Sequence, residues 1–160
     1  MVFLQGTTIM SEKFLGRTRE ERVKLSKERD PEVLDSSRQV PIGRAVGKLR
    51  KWKEEGAELI YVSAHRKPEN TPKIASLLEK HEFPQGEFVF RQGSEQYKDV
   101  AERIRPDVII EDDCESIGGE KEMVYPQIKP ELRNGMKSIV VREFEGIDQL
   151  PDNIEKLSSL

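Results

Sequence analysis

Short apolar runs alternate with longer amphipathic stretches along the chain. Five runs are rich in β-branched and aromatic residues and lack helical spacing, which predicts strands buried on both faces, as in a parallel sheet. These predicted strands are 2–5, 58–63, 87–90, 107–112 and 137–141. Three stretches between them place apolar residues on one helical face and predict helices: 42–55, ended by Gly56; 71–81, opened by Asn70 and Pro72; and 95–104, capped by Ser94.

Trp52, two prolines and the C-terminal tail add three details to this pattern. Trp52 continues the apolar face of its helix, so it is interpreted as a core residue and not as a stacking platform. Pro126 and Pro130 interrupt 123–136 and predict broken helical turns there, and 144–160 is expected to be a tail with about one helical turn.

The regular alternation of strands and helices predicts an α/β fold with a single Rossmann-like, doubly wound parallel sheet and right-handed crossovers. A length of 160 residues suits one domain, so 1–160 is assigned to it. Segment 10–40 departs from the alternation, because it is highly charged and poor in apolar residues. Thr18 and Glu21 form a capping-box pattern that predicts a short polar helix over 18–26. We interpret 10–40 as a small flap or lid inserted after the first strand; the alternative is a solvated excursion without a ligand role.

Composition narrows the classes of partner. The chain has 27 basic and 30 acidic residues and a formal net charge of -3, which gives no strong signal for nucleic acid or an anionic membrane. The single cysteine, Cys114, excludes an intramolecular disulfide, and no Cys/His group has zinc spacing. The first residues have no signal-peptide pattern, and no apolar run approaches the ~20 residues of a membrane span. We therefore expect a soluble cytoplasmic protein.

Three consecutive acids, Glu111, Asp112 and Asp113, end the fourth predicted strand. Ligands of open α/β sheets bind at the carboxyl edge of the strands, so these acids predict a site for a metal or for phosphate chemistry. The alternative is a solvated strand end before a helix N-terminus, where carboxylates are favourable in any case.

Other strand ends carry a matching set of motifs. The first strand ends in Phe-Leu-Gln-Gly-Thr-Thr, the second in Tyr-Val-Ser-Ala-His-Arg and the fourth in Ile-Ile-Glu-Asp-Asp, and Lys98 precedes the fourth. In order and spacing, about 1–141 resembles the haloacid dehalogenase-like (HAD) superfamily of phosphohydrolases. The resemblance implies a HAD-like fold in which Asp112 and Asp113 hold Mg²⁺. It also implies a phosphorylated small molecule or nucleotide as partner, with Ser63 and Lys98 at phosphate-binding positions. We assign ligand binding to Gly6, Thr7, Ser63, Ala64, Arg66 and Lys98; Arg66 is included because its guanidinium suits paired hydrogen bonds to a phosphate or carboxylate just beyond Ser63.

The first motif departs from the family pattern. Members of the family normally have Asp-x-Asp-Gly-Thr here, whose first Asp attacks phosphorus and whose second acts as acid and base. This chain has Phe3 and Gln5 at those positions. Phenylalanine cannot form an acyl-phosphate and the glutamine amide does not ionise near neutral pH, so the standard phosphatase route is not expected.

Three hypotheses for function follow. The first is a binding protein for a phosphorylated ligand, with weak affinity for Mg²⁺ in its absence. The second is a hydrolase that uses His65, or water on a metal held by Asp112 and Asp113. The third is a partner-binding module with the basic segment 17–29 as its docking surface.

Three of these residues have an alternative, structural interpretation. His65 would cap its loop instead of acting as an acid or base. Arg66 would pair with the acids 111–113 and Lys98 would face solvent, instead of binding phosphate. Cys114 is not expected to be a nucleophile, because the neighbouring acids raise its pKa.

Overall fold

The alternating apolar runs fold into a parallel sheet flanked by helices in the computed structural model, which describes residues 1–63 and 71–160. The strands of these described ranges are β1 (Val2–Phe3), β2 (Ile9–Ser11), β3 (Gln39–Pro41), β4 (Ile60–Val62), β5 (Glu87–Val89), β6 (Val108–Asp112) and β7 (Lys137–Val141). Their α-helices are α1 (Arg19–Lys27), α2 (Ala45–Glu54), α3 (Thr71–Lys80), α4 (Tyr97–Ile104) and α5 (Ile154–Ser159). The predicted α/β class is confirmed.

Five strands form the main sheet in the order β5-β4-β1-β6-β7, and every pair is parallel. Val2 of the central strand is in register with Tyr61 on one side and Ile110 on the other. The chain leaves β1 towards β4 and β5, then returns to the other side of β1 for β6 and β7. The strand order therefore reverses next to β1, where open α/β sheets place their ligands.

Alternate strand residues contribute to two apolar clusters. Val2 and Ile110 belong to a cluster with side chains of α2, α3 and α5, whereas Phe3 and Ile109 pack with α4 and the segment after β6. Because successive side chains of a strand point to opposite faces, both faces of the sheet are covered, as the continuous apolar runs indicate. Trp52 is 2% exposed and donates its indole N–H to the Pro151 carbonyl, which confirms its interpretation as a core residue.

The 10–40 segment is bounded by two short antiparallel strands that the pattern did not predict. β2 and β3 pair antiparallel, with Ile9 opposite Pro41, and α1 lies between them in the chain. Thr18 caps α1 through the predicted capping box with Glu21, so that prediction is confirmed. The segment also contributes to an apolar cluster: Met10, Phe14, Val23, Val33, Ile42 and Phe144. It is thus a packed insertion, called the β2–β3 insertion (9–41) below, and its lid role stays a prediction.

The start of α4 corrects one prediction. The helix begins at Tyr97 with Gln96 at the N-cap, so the predicted cap at Ser94 is wrong. The Glu95 carboxylate accepts from the Gln92 amide and the Glu95 amide donates to the Gln92 carbonyl, which holds Ser94 in a turn.

The predicted broken turns of 123–136 are confirmed as short 3-10 helices, and α5 is the expected short C-terminal helix. Among the described residues, none of the helices combines the length and apolar character that crossing a membrane requires.

Candidate functional site

The strand β6 separates its terminal acids instead of presenting them together. Glu111 is buried, and its carboxylate accepts from the backbone N–H groups of Val124 at 2.6 Å and Tyr125 at 2.9 Å. It therefore anchors the segment after β6 to the sheet. The expectation that all three acids form one cluster is wrong for Glu111, because alternate residues of a strand face opposite sides.

Asp112 contacts the turn after β1. Its Oδ2 accepts from the fully buried Thr7 hydroxyl at 2.8 Å, and its Oδ1 accepts from the Cys114 amide at 3.0 Å. Gly6 has a φ of +84°, and a Cβ at this position would lie 2.6 Å from the Asp112 Oδ2. The structure thus brings together Gly6, Thr7 and Asp112, three of the residues that the sequence places in the site.

Asp113 is paired with an arginine from the β2–β3 insertion. Arg19, the first residue of α1, donates from Nη2 to Asp113 Oδ2 at 2.9 Å and from Nη1 reaches Glu115 at 2.6 Å. Its Nε donates to the Glu143 carbonyl, and its side chain is only 8% exposed. The charge run 17–29 gave no sign that Arg19 would turn inwards, and the alternative partner, Arg66, lies outside the described residues.

Glu143 completes an acidic cluster that sequence reasoning missed. It follows β7 and is 5% exposed, and its carboxylate accepts from the Ser116 amide at 2.7 Å and hydroxyl at 2.6 Å. Among the described residues, Asp112, Asp113 and Glu143 each place a ligand oxygen within 4.8 Å of the others, and this group could hold a metal ion. The sequence could have indicated Glu143 only through the predicted topology, since the ends of adjacent parallel strands meet at one edge of the sheet.

Burial dominates the electrostatics of this acidic cluster. It raises the pKa of Asp112 to about 6, against the opposing hydrogen bonds from Thr7 and Cys114. It also raises the pKa of Glu143 to about 7, with the Asp112 charge adding to the effect. Burial first, and then the neighbouring acids, raise the pKa of the Cys114 thiol, which supports the expectation that it is not a thiolate nucleophile.

Phe3 and Gln5, which stand where the resemblance implies aspartates, both make structural contacts. The Phe3 ring packs edge-on against Tyr97, with 5.4 Å between ring centroids. Gln5 exchanges long hydrogen bonds with the Ser63 hydroxyl, at 3.3 and 3.4 Å, and the Tyr97 hydroxyl donates to the Ser63 carbonyl at 3.0 Å. Ser63 is therefore buried at the end of β4, beside the turn that follows β1.

Of the remaining predicted site residues, Lys98 is the one that lies in the described part of the chain. Lys98 is the second residue of α4 and half-buried, and within 1–63 and 71–160 no hydrogen bond or ion pair involves its amine. Both its phosphate-binding and its solvent-facing interpretations stay open. The predictions for Ala64, His65 and Arg66 fall outside the described residues.

Comparison of the chain with protein-family models, with curated proteins and with solved structures finds no match. The fold and the site together define an α/β protein with a five-stranded parallel sheet. An acidic cluster that could hold a metal ion lies at the carboxyl edge of that sheet.

Proposed function

We propose that this chain is a HAD-like protein that binds a phosphorylated small molecule or nucleotide together with Mg²⁺, without the aspartyl chemistry of the phosphohydrolases. The observation that carries the proposal is the convergence of Asp112, Asp113 and Glu143 beside the turn formed by Gly6 and Thr7. The cluster lies where the strand order reverses, the usual ligand position in this architecture.

The donor set fits a hard divalent cation. The cluster offers carboxylate oxygens only, and the neighbouring Cys114 keeps its proton because its pKa is raised. Mg²⁺ prefers oxygen ligands and usually takes one or two carboxylates with water and substrate phosphate. When bound, the cation would offset the mutual repulsion of the carboxylates and the charge of a phosphate.

The first strand offers no side chain that could form a covalent bond with the phosphate of this ligand. Phe3 packs on Tyr97 and Gln5 contacts Ser63, so both positions serve packing and hydrogen bonding. Ser63 supplies a hydroxyl and Lys98 a positive charge for the phosphate in this proposal. Arg19 already forms an ion pair with Asp113, so a cation that binds Asp113 has to compete with Arg19.

Calorimetry with inorganic phosphate, sugar phosphates and nucleoside monophosphates, each with and without Mg²⁺, tests the proposal. We expect saturable binding of at least one phosphate compound that requires Mg²⁺. Asp112→Asn should weaken it at least about tenfold, because it removes a charged ligand. Glu131→Gln, which changes an exposed acid on a distant turn, is the control and should bind normally. Absence of heat across the panel in the presence of Mg²⁺ would contradict the proposal.

The buried Glu143 favours hydrolysis as a second candidate function. In this alternative Asp112 and Asp113 hold the cation and Glu143 does not ligate it, so the Glu143 carboxyl, whose pKa is about 7, stays free for general acid–base work at neutral pH. Turnover of a generic phosphoester should then depend on the divalent metal and be lost in Glu143→Gln. His65→Ala distinguishes this route from one in which His65 is the acid or base. The substitution should abolish turnover only in the second case. Turnover unchanged by either substitution would count against hydrolysis at this site.

A further inference from the structure

A second charged feature lies between the start of α1 and the segment after β7. It is an open cleft of about 560 Å³ lined by the following residues: Arg17, Arg19, Arg22, Arg142, Glu145 and Gln149. Four arginines from two separate segments of the chain therefore line one cleft. We call this feature the arginine cleft.

The charges of these arginines are not compensated equally. Arg19 pairs with Asp113 and Glu115. Arg142 pairs with Glu145 at 2.9 Å and reaches Glu20 only at 4.0 Å. Those two arginines are thus largely neutralised within the chain.

Arg17 and Arg22 have carbonyl partners and, among the described residues, no carboxylate within ion-pair distance. Arg17 donates from Nε to the Lys13 carbonyl at 2.9 Å. Arg22 donates from Nε to Phe14 and from Nη1 to Phe144, at 3.2 and 2.7 Å. A carbonyl fixes the plane of a guanidinium without cancelling its charge, so two oriented positive charges stay available to a ligand.

We propose that the arginine cleft is a second binding site, separate from the acidic cluster, for a small multivalent anion of the phosphate type. Guanidinium groups match phosphate oxygens with paired, charge-assisted hydrogen bonds, and several of them at one cleft suit an anion with more than one charge. The size of the cleft fits a small molecule. A nucleic acid needs an extended basic surface, which a chain with net charge -3 and these few arginines does not provide.

Titration of sodium pyrophosphate in an EDTA buffer at fixed ionic strength tests this inference. EDTA removes divalent cations and so excludes the cation-dependent binding proposed above. The wild-type protein should bind pyrophosphate saturably. The variant Arg17→Gln should bind at least about tenfold more weakly, because the loss of a charge-assisted hydrogen bond carries about that factor. The Arg17 side chain is exposed and the Arg22 bonds are untouched, so the fold should persist, as a thermal unfolding scan would verify.

Two control variants make the result specific. Arg44→Gln removes an exposed arginine elsewhere on the surface, and Asp112→Asn alters the acidic cluster. Both should bind pyrophosphate as the wild type does. An equal loss in Arg44→Gln would reduce the effect to net charge and overturn the proposal. The proposal would also be overturned if a single-stranded oligonucleotide bound more tightly than pyrophosphate and Arg17→Gln abolished that binding. Failure of pyrophosphate to bind in EDTA, with Mg²⁺-dependent phosphate binding intact, would remove this inference alone.

Discussion

At the scale of single residues, Gly6 determines how closely the turn after β1 approaches Asp112. Its φ of +84° lies in the left-handed region that favours glycine, and a Cβ there would lie 2.6 Å from the carboxylate oxygen. The close approach lets the Thr7 hydroxyl donate to the same carboxylate. Gly6 is therefore required both by the backbone and by the acidic cluster.

Gly6→Ala should be much more destabilising than Gly16→Ala. Gly16 has a similar φ of +72°, but a Cβ there would meet nothing within 4 Å. Both variants incur the cost of a left-handed alanine, about 1 kcal/mol, whereas only Gly6→Ala also displaces Asp112. We expect urea unfolding to show an additional loss of about 2 kcal/mol for Gly6→Ala. Equal losses in the two variants would contradict the packing described for Asp112.

Single residues also show which parts of the site could be foreseen. The contact of the Gly6–Thr7 turn with Asp112 follows from the rule that parallel strands end at one edge, so it was predictable. Glu143 was missed because it stands outside the run of consecutive acids and outside the quoted motifs. Glu111 was grouped with its neighbours because the run of three acids outweighed the alternation of side chains along β6.

At the scale of elements, α1 is tied to the ends of β6 and β7 by its arginines. Arg19 reaches Asp113, and Arg22 donates to the Phe144 carbonyl, while Phe14 packs edge-on against the Phe144 ring. The β2–β3 insertion is thus attached to the same segments that carry the acidic cluster. Any movement of the insertion as a lid has to break the Arg19 ion pairs.

Arg19→Gln should loosen α1. The arginine is nearly buried and holds two carboxylates, and the loss of such charge-assisted bonds costs about 1.5–3 kcal/mol. Amide hydrogen exchange within 19–27 should become at least about tenfold faster, because local opening becomes easier. The exposed Lys27→Gln at the other end of the same helix is the matched control and should exchange as the wild type does. Unchanged protection in Arg19→Gln would show that apolar packing alone holds the insertion.

The elements differ in how far the sequence predicts them. The capping box located α1, and the apolar faces located α2 and α3, because these signals are local. The pairing of β2 with β3 was missed, since three-residue strands about thirty residues apart carry no alternation to identify them. Ser94 was assigned as a cap because its residue type is favourable, whereas turn contacts of Glu95 decide the local geometry.

At the scale of the whole molecule, the acidic cluster makes stability depend on pH. The groups with lowered pKa, such as Asp152 at about 2, increase stability only as the pH rises through the acidic range below their ordinary values. Asp112 and Glu143 act in the opposite direction, since their pKa values are raised in the folded state. The two effects occupy different pH ranges, so they can be separated by experiment.

Without divalent cations, the free energy of unfolding should fall as the pH rises from about 5 to 7.5. Glu143 has an ordinary pKa of 4.5 and a folded value of about 7, so between these values the folded state binds more protons than the unfolded state. Stability then decreases with pH across that window, and Asp112 adds to the decrease up to about pH 6. We expect a loss on the order of 3–4 kcal/mol in EDTA, since one pKa unit corresponds to about 1.4 kcal/mol; urea unfolding at several pH values measures it.

Two comparisons assign that slope to the acidic cluster. Glu143→Gln should flatten the profile above about pH 6, where Asp112 no longer contributes, because glutamine has no proton to lose. Glu131→Gln, which changes an exposed acid, should follow the wild type. Saturating Mg²⁺ should also flatten the wild-type profile, since a cation that binds the ionised cluster of the folded state adds most stability at high pH. A slope that persists above about pH 6 in Glu143→Gln would place the titrating groups elsewhere. If Glu143→Gln removes the slope but Mg²⁺ does not change it, the buried acids are the titrating groups and the cluster does not bind the cation.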